Sequence, residues 1–404
     1  MLSFLRENFR WIAGGFLLTY FSSIGQTFFV SASIAEWQAR FNLSHGEIGR
    51  LYMLATLGSA ACLPFVGRIM DVIPAHRVVA GVAPVLAIAA LMAGNAVSIP
   101  VLVIAIFLLR LFGQGMMTHI ALTATGRWFV AERGRAVSLV VLGHQGGEAT
   151  LPLIFAAVTI AYGHTAGWTS AAVALVAIGL PLIFWSYRVP RIPHGTVSKE
   201  VSRSQVAREW ERREVLRDPV FWTLLTGVLA PPFIGTTIFY HQNYLTALFA
   251  WPPQLYAQGL LVMAMTTVTF ALLSGWIIDR VSAKNVLSFF LLPLTAACFA
   301  LGFAGSEASL FVVMILLGIS YGFSSTLFGA LWPEIYGTKN LGAIRSVTVS
   351  AAVLATAAGP GVTGSLIDYG IELPSQMVFL GFYCLLAVVA MASASAVLRK
   401  RSEA

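Results

Sequence analysis

The stretch Gly67-Arg68-Ile69-Met70-Asp71-Val72-Ile73-Pro74-Ala75-His76-Arg77 lies between two long apolar runs. A near copy, Gly275-Trp276-Ile277-Ile278-Asp279-Arg280-Val281-Ser282-Ala283-Lys284, begins 208 positions later. Each reads as a glycine, an aspartate four residues on, and basic residues within a short turn. A charged turn repeated half a chain apart in a greasy sequence marks two copies of one helical bundle.

Composition sets the solvent around those bundles. Of 404 residues, 58% are apolar and only 10% are charged, against roughly 25% charged in soluble domains. Apolar runs of the length needed to cross about 30 Å of hydrocarbon recur along the chain. Twelve are found, at 12–35, 47–69, 77–97, 100–122, 136–158, 166–187, 220–246, 255–278, 285–304, 309–330, 342–364 and 375–398. They must be helices, because unpaired backbone groups are too costly in lipid, and they lack the alternation of a membrane barrel strand. The expected fold is therefore an all-α membrane protein with twelve transmembrane helices in two pseudo-symmetric six-helix bundles. The bundles cover 1–187 and 220–404, with a cytoplasmic connector over 188–219. The basic start, Met1 to Arg10, runs into the first apolar stretch without a small-residue cleavage site, so that stretch is read as a retained span.

Basic residues give the orientation. With the N-terminus in the cytoplasm, all 25 Lys and Arg fall on the cytoplasmic side except Arg40, Arg50 and Arg110. Such a bias indicates a multi-pass protein of a bacterial-type inner membrane with both ends inside. It also accounts for the net charge of +8 through the anionic inner leaflet and membrane lipids, and nucleic-acid binding has no other support. In the connector, Ser204 to Arg217 is read as a short surface helix with Trp210 and Leu216 toward lipid and Arg213 and Arg217 toward the head groups. Cys62, Cys298 and Cys384 each lie inside an apolar run, without metal or disulfide spacing. No metal-binding H-E-x-x-H, nucleophile elbow or phosphate loop occurs, so neither an enzyme nor a cofactor is indicated.

The polar residues at lipid depth carry the chemistry. Arg110 lies near the middle of the fourth span. A guanidinium there must face protein or water and find a partner, and its fork matches a carboxylate. It either binds an anionic substrate or orders the bundle through an internal ion pair. Glu148, midway along the fifth span, is the expected partner or complement. Burial and a neighbouring Arg act on such a carboxyl in opposite senses, which suits a group that loads and releases a proton. His144 shares its face with Glu148, and His119 lies on the fourth span; both are candidate proton relays or satisfied structural histidines. In the second half Tyr321 and His241, and in the first span Gln26, are candidates to hydrogen-bond the rest of a solute. Gly143, Gly146 and Gly147 echo Gly359, Gly361 and Gly364, which permits close helix packing, rocking, or both.

The repeated turn resembles the G-x-x-x-D-R-x-x-x-R/K signature of the major facilitator superfamily. The second copy matches through Gly275, Asp279, Arg280 and Lys284; the first keeps Gly67, Asp71 and Arg77 but has Val72 in place of the arginine. The resemblance implies that these residues gate the cytoplasmic side, with Asp71 meeting the start of span eleven and Asp279 the start of span five. Arg110 with Gly115 is similar to the family's span-four arginine and glycine, with the spacing shifted by one. Trp128-Phe129 with Arg133-Gly134-Arg135-Ala136 resembles the loop of carboxylate transporters, and Trp332-Pro333-Glu334 echoes it. The loose likeness is to the monocarboxylate and oxalate–formate branch, although spans seven to ten lack its basic cavity residue.

The leading expectation is a monomeric secondary transporter of a small organic anion, a proton-coupled monocarboxylate symporter working by alternating access. Arg110, Gln26, Tyr321 and His241 bind the substrate. Glu148, His144 and His119 couple protons. Asp71, Arg77, Asp279, Arg280 and Lys284 gate. The alternatives are an exporter of drugs or neutral metabolites, and a membrane ligand sensor that moves nothing.

Overall fold

In the computed structural model, residues 2–67, 69–129, 133–189, 210–337 and 341–403 are described. Among them there is no strand. Twelve helices, all but the eleven-residue α9 of twenty residues or more, are labelled here α1 (Leu2–Ser22), α2 (His45–Val66), α3 (Ala75–Gly94), α4 (Ile99–Trp128), α5 (Arg133–Tyr162), α6 (His164–Tyr187), α7 (Pro219–Tyr240), α8 (Pro253–Val281), α9 (Leu292–Gly302), α10 (Glu307–Tyr336), α11 (Leu341–Asp368) and α12 (Leu373–Glu403). Among the described residues nine are long and apolar enough to cross a membrane. The remaining predicted stretches are held by α1, α5 and α9. α1 stops at Ser22, and its apolar run goes on through a 3₁₀ turn, Ser23–Gly25, and a short helix, Thr27–Val30.

Local chemistry explains the helix ends. Ser44 and Glu47 form a reciprocal capping box at the start of α2: Ser44 Oγ accepts from Glu47 N at 3.1 Å, and Glu47 Oε2 accepts from Ser44 N at 2.9 Å. Between α5 and α6 the chain turns at Gly163 with φ +89°, a backbone region that disfavours side chains with a Cβ.

The chain divides into two compact units, one holding α1–α6 together with Gln242–Tyr244 and the other holding α7–α12. Inside the first, α1 packs on α5, α2 on α4 and α3 on α6. Inside the second, α7 packs on α11, α8 on α10 and α9 on α12. The pairing repeats on adding six to each helix number, as expected for two copies of one bundle.

The end of the connector is fixed by charge rather than by lipid. Most of it lies outside the described residues, and the described part contains only a four-residue helix, Arg212–Val215. Trp210 does not face outward. Its ring packs edge-on against Tyr336 at 5.4 Å, and the Trp210 backbone N–H donates to the Tyr336 carbonyl at 3.2 Å. Asp218 caps α7 by accepting from Val220 N at 3.1 Å, and takes a two-pronged bond from Arg401 at 2.7 and 2.9 Å. Tyr336 also donates to it, at 3.1 Å. A buried carboxylate with unfilled acceptor sites recruits these donors, and Trp210 packs on one of them, Tyr336.

Burial pushes the Asp218 carboxyl up, but the bonds from Arg401, Val220 N–H and Tyr336 prevail and hold it below the ordinary carboxylate value. Its stabilising contribution is therefore complete above about pH 4, the unfolded value, and is lost as pH falls through the lower folded value. Replacing Arg401 with Gln should cost about 1–3 kcal/mol at pH 7. Thermal unfolding across a pH series should show the gap to the parent protein closing below about pH 4.

Candidate functional site

Arg110 is buried, at 2% exposure, within a π-helical segment of α4, Leu109–Met117. Its Nη1 donates to the Gly25 carbonyl and to Thr27 Oγ1, each at 3.1 Å. The guanidinium lies 5.5 Å from the centre of the Tyr52 ring, and Tyr52 OH donates to Thr27 Oγ1 at 2.8 Å. Its Nε has no partner among the described residues.

The break after α1 supplies these acceptors. Gln26 is extended, with φ −82° and ψ 154°, so the next turn starts from the Gln26 carbonyl and Gly25 keeps its own for Arg110. The site also needs the two backbones to touch. A Cβ added at Gly113 would lie 2.6 Å from Gly25 Cα, and a Cβ on Gly25 would meet Gly113 in turn. Glycine on both sides lets α4 cross the broken end of α1 closely enough for the guanidinium to reach a carbonyl.

The expected pairing of Arg110 with Glu148 is not present: no ion pair joins them among the described residues. The guanidinium instead uses neutral acceptors from the broken segment after α1, the Gly25 carbonyl and Thr27 Oγ1, and lies beside the Tyr52 ring of α2. Glu148 is buried on α5 at 5% exposure and has no hydrogen-bond partner among the described residues. One turn earlier His144 packs on Phe28, ring centres 5.9 Å apart, and its Nδ1 is likewise without a partner there. Gln26, beside Gly25, belongs to this neighbourhood. His119 does not: its Nε2 lies 3.2 Å from where a Gly67 Cβ would be, at the end of α2, nine residues along α4 from Arg110.

The α1–α5 contact resolves the packing role of the glycines. A Cβ on Gly143 would collide with the Phe16 carbonyl, and one on Gly147 would lie 2.5 Å from the Tyr20 carbonyl. Gly146, between them, has nothing nearer than 3.5 Å. In the second unit, Gly359 of α11 lies against α7 in the same way, with Thr237 Oγ1 at 2.7 Å from an added Cβ.

In the second unit Tyr321 lines a cavity of about 310 Å³ with Ser324, Ser325, Thr348, Phe328 and Trp332. Its hydroxyl donates to the Pro231 carbonyl at 3.3 Å, filling the space left by Gly235. Ser324 Oγ is buried there without a partner among the described residues. His241 is not in this lining. It is buried at the end of α7, with Nε2 2.9 Å from Thr363 Oγ1 of α11.

Of the expected gate, the side chains of Asp71 and Asp279 lie outside the described residues, as do their proposed contacts. Arg77 and Arg280 are exposed, and Arg280 stacks 3.9 Å over Trp276. Two loop anchors escaped sequence reading of the chemistry. Arg127, at the end of α4, donates to the Met70 carbonyl at 2.6 Å, and Glu334 of α10 accepts from Ser282 Oγ and from Ala283 N at 2.9 Å. Tyr52, too, gave no signal except as an aromatic with a polar tip in mid-span.

Two matches to the family model of the Major Facilitator Superfamily cover residues 16–266 and 235–404. No curated protein matches the sequence. A solved structure of a bacterial homologue of the human lysosomal transporter Spinster, inward-facing and unoccupied, has a TM-score of 0.72 at 15% identity, over 96% of this chain and 97% of that one. The same homologue in its occupied conformation has a TM-score of 0.65 at 15% identity, over 97% and 96%. A mutant of the nucleoside transporter NupG has a TM-score of 0.69 at 15% identity, over 96% and 99%. At such identity the likeness is one of fold.

Gly143→Ala should destabilise the first unit by about 1–3 kcal/mol through overpacking. Gly146→Ala, three residues away with free space, should be neutral or slightly stabilising through helix propensity. Detergent melting curves of the two variants check the difference.

Proposed function

We propose that this chain, which belongs to the Major Facilitator Superfamily, carries a small organic anion, a monocarboxylate, together with protons. Family membership makes it a multi-pass membrane transporter and not an enzyme. The finer reading rests on one observation: among the described residues Arg110 meets only neutral partners, a carbonyl, a hydroxyl and a ring face. Arginine does not shed its proton in proteins. The missing counter-charge is what a substrate carboxylate brings, and a guanidinium edge including the unpartnered Nε suits it in geometry. Since Nε is enclosed, the carrier's cycle has to open that edge to the substrate.

Glu148 has the complementary part. It is buried, carries no ion pair among the described residues and has His144 one turn away. A carboxyl so placed exchanges a proton rather than a salt-bridge partner. Gln26 stands beside the Arg110 crossing and is assigned to the substrate, as is Tyr321 of the second unit. His241 and His119 are better assigned to structure, since one bonds Thr363 and the other abuts Gly67. Both termini are assigned to the cytoplasm of a bacterial-type inner membrane, by the distribution of Lys and Arg, and the carrier is assigned as a monomer.

A second reading is favoured by the cavity around Tyr321. Its lining offers hydroxyls and aromatic faces but no charged side chain, which suits a neutral metabolite. Arg110 is then structural.

Purified protein in liposomes, offered carboxylates, amines, sugars and nucleosides, separates the two. Arg110→Gln should cut uptake of the transported acid about 10- to 100-fold, the worth of a charged hydrogen bond, with the fold retained. Glu148→Gln should abolish proton co-movement while leaving anion exchange. Uptake confined to neutral or cationic solutes would move the second reading first.

A further inference from the structure

A separate feature of the first unit lies toward the N-terminal ends of α1 and α5. There the surface of the two helices carries a groove of about 430 Å³. Six side chains of α1 between Leu5 and Leu17 line it, with Leu139 and Leu142 of α5, and all eight are apolar. The α1 positions recur at helical spacing, so they form one stripe about 18 Å long. Phe9 in that stripe is 61% exposed.

The charges nearby are unevenly placed. At about 100° per residue, Arg6 stands roughly 60° from the centre of the stripe, while Glu7 stands roughly 160° away on the opposite face. Arg6 is exposed and has no hydrogen bond or ion pair among the described residues. Arg10 is committed elsewhere. Its Nε donates to the Ser186 carbonyl at 3.2 Å, its Nη2 donates to the Trp185 carbonyl, and its guanidinium lies 4.5 Å over the Trp185 ring. The second unit provides a contrast. An apolar groove of about 450 Å³ between α7, α11 and α12 is lined by residues such as Phe233, Leu354 and Leu380, and no Lys or Arg occurs between residues 218 and 279 or between 346 and 398. Of these two grooves, the first has a cation without a hydrogen bond or ion pair among the described residues beside its hydrocarbon stripe.

We propose that the α1–α5 groove binds an anionic phospholipid, with one acyl chain along the stripe and the phosphate on Arg6. The stripe satisfies the chain, and the cation selects the head group by charge complementarity. The leaflet concerned is the one at the N-terminal end of α1.

The full-length protein, purified in a neutral maltoside detergent, tests this without any transport assay. Lipid retention is counted by native mass spectrometry, and melting is followed with added phosphatidylglycerol, phosphatidylcholine or glycerol 3-phosphate. The parent protein should retain phosphatidylglycerol in preference to phosphatidylcholine and melt higher with it. Arg6→Gln, at an exposed position where folding is not at stake, should weaken phosphatidylglycerol binding about fivefold and leave phosphatidylcholine unchanged. Glu7→Gln should change neither. Ala13→Phe, which fills the groove, should reduce retention of phosphatidylglycerol. Equal retention of both lipids by the parent protein and Arg6→Gln would overturn the proposal, as would glycerol 3-phosphate acting as well as the lipid. A mass of two chains that reverts to one in Ala13→Phe would give the groove to a second copy instead.

Discussion

A guanidinium keeps its charge wherever the chain carries it, and within a membrane span only the protein can meet that charge. Arg110 is met by the end of α1. The carbonyl it uses is free because Gln26 is extended, and it is within reach because Gly25 and Gly113 let the backbones touch. Thr27 completes the contact and is itself held by Tyr52 of α2. Three helices thus converge on one side chain. The break in α1, which looks like a defect in a membrane helix, is what allows a cation to be accommodated without an anion.

The two units share an architecture and differ in their furnishing. Both pack their first and fifth helices through glycine, and in both the fourth helix of the unit anchors the loop after the second. The anchors have opposite chemistry: Arg127 catches a carbonyl, and Glu334 catches a hydroxyl and an amide N–H. The signature turn differs too. Arg280 covers Trp276, whereas Val72 is 85% exposed and offers no such charge. At depth the first unit holds Arg110 and Glu148, and the second offers hydroxyls around Tyr321. Packing has therefore been kept while polar contents have diverged, as expected when the lining rather than the scaffold sets what is bound.

Much of the fold was legible because hydropathy is written in side chains. The helical stretches, the two halves and the need of Arg110 for protein partners follow from the solvent alone. The partner of Arg110 was not legible, since a backbone carbonyl has no letter of its own, and its availability depends on a break that Ser23-Ile24-Gly25-Gln26 does not announce. Glu148 was a reasonable partner by depth, but depth does not fix which way a side chain points around its helix. Its place on the fourth span groups His119 with the proton candidates, and the run of α4 carries it to Gly67. Trp210 was read as an interface residue because the demand of Asp218 for donors becomes visible only when Arg401 and Tyr336, far away in sequence, meet it.

The π-helical segment of α4 has one more consequence. A turn closed five residues back holds one residue more than an ordinary turn, so Leu109–Met117 acts as an insertion absorbed without breaking the rod. Downstream of it every side chain is rotated in phase by about 100°, which sets which faces of the helix, His119 and Arg127 included, are presented to α2 and to the loop at Met70. The loop anchor and the buried cation are therefore linked by register: the same extra residue that shapes the surroundings of Arg110 also determines where Arg127 can reach.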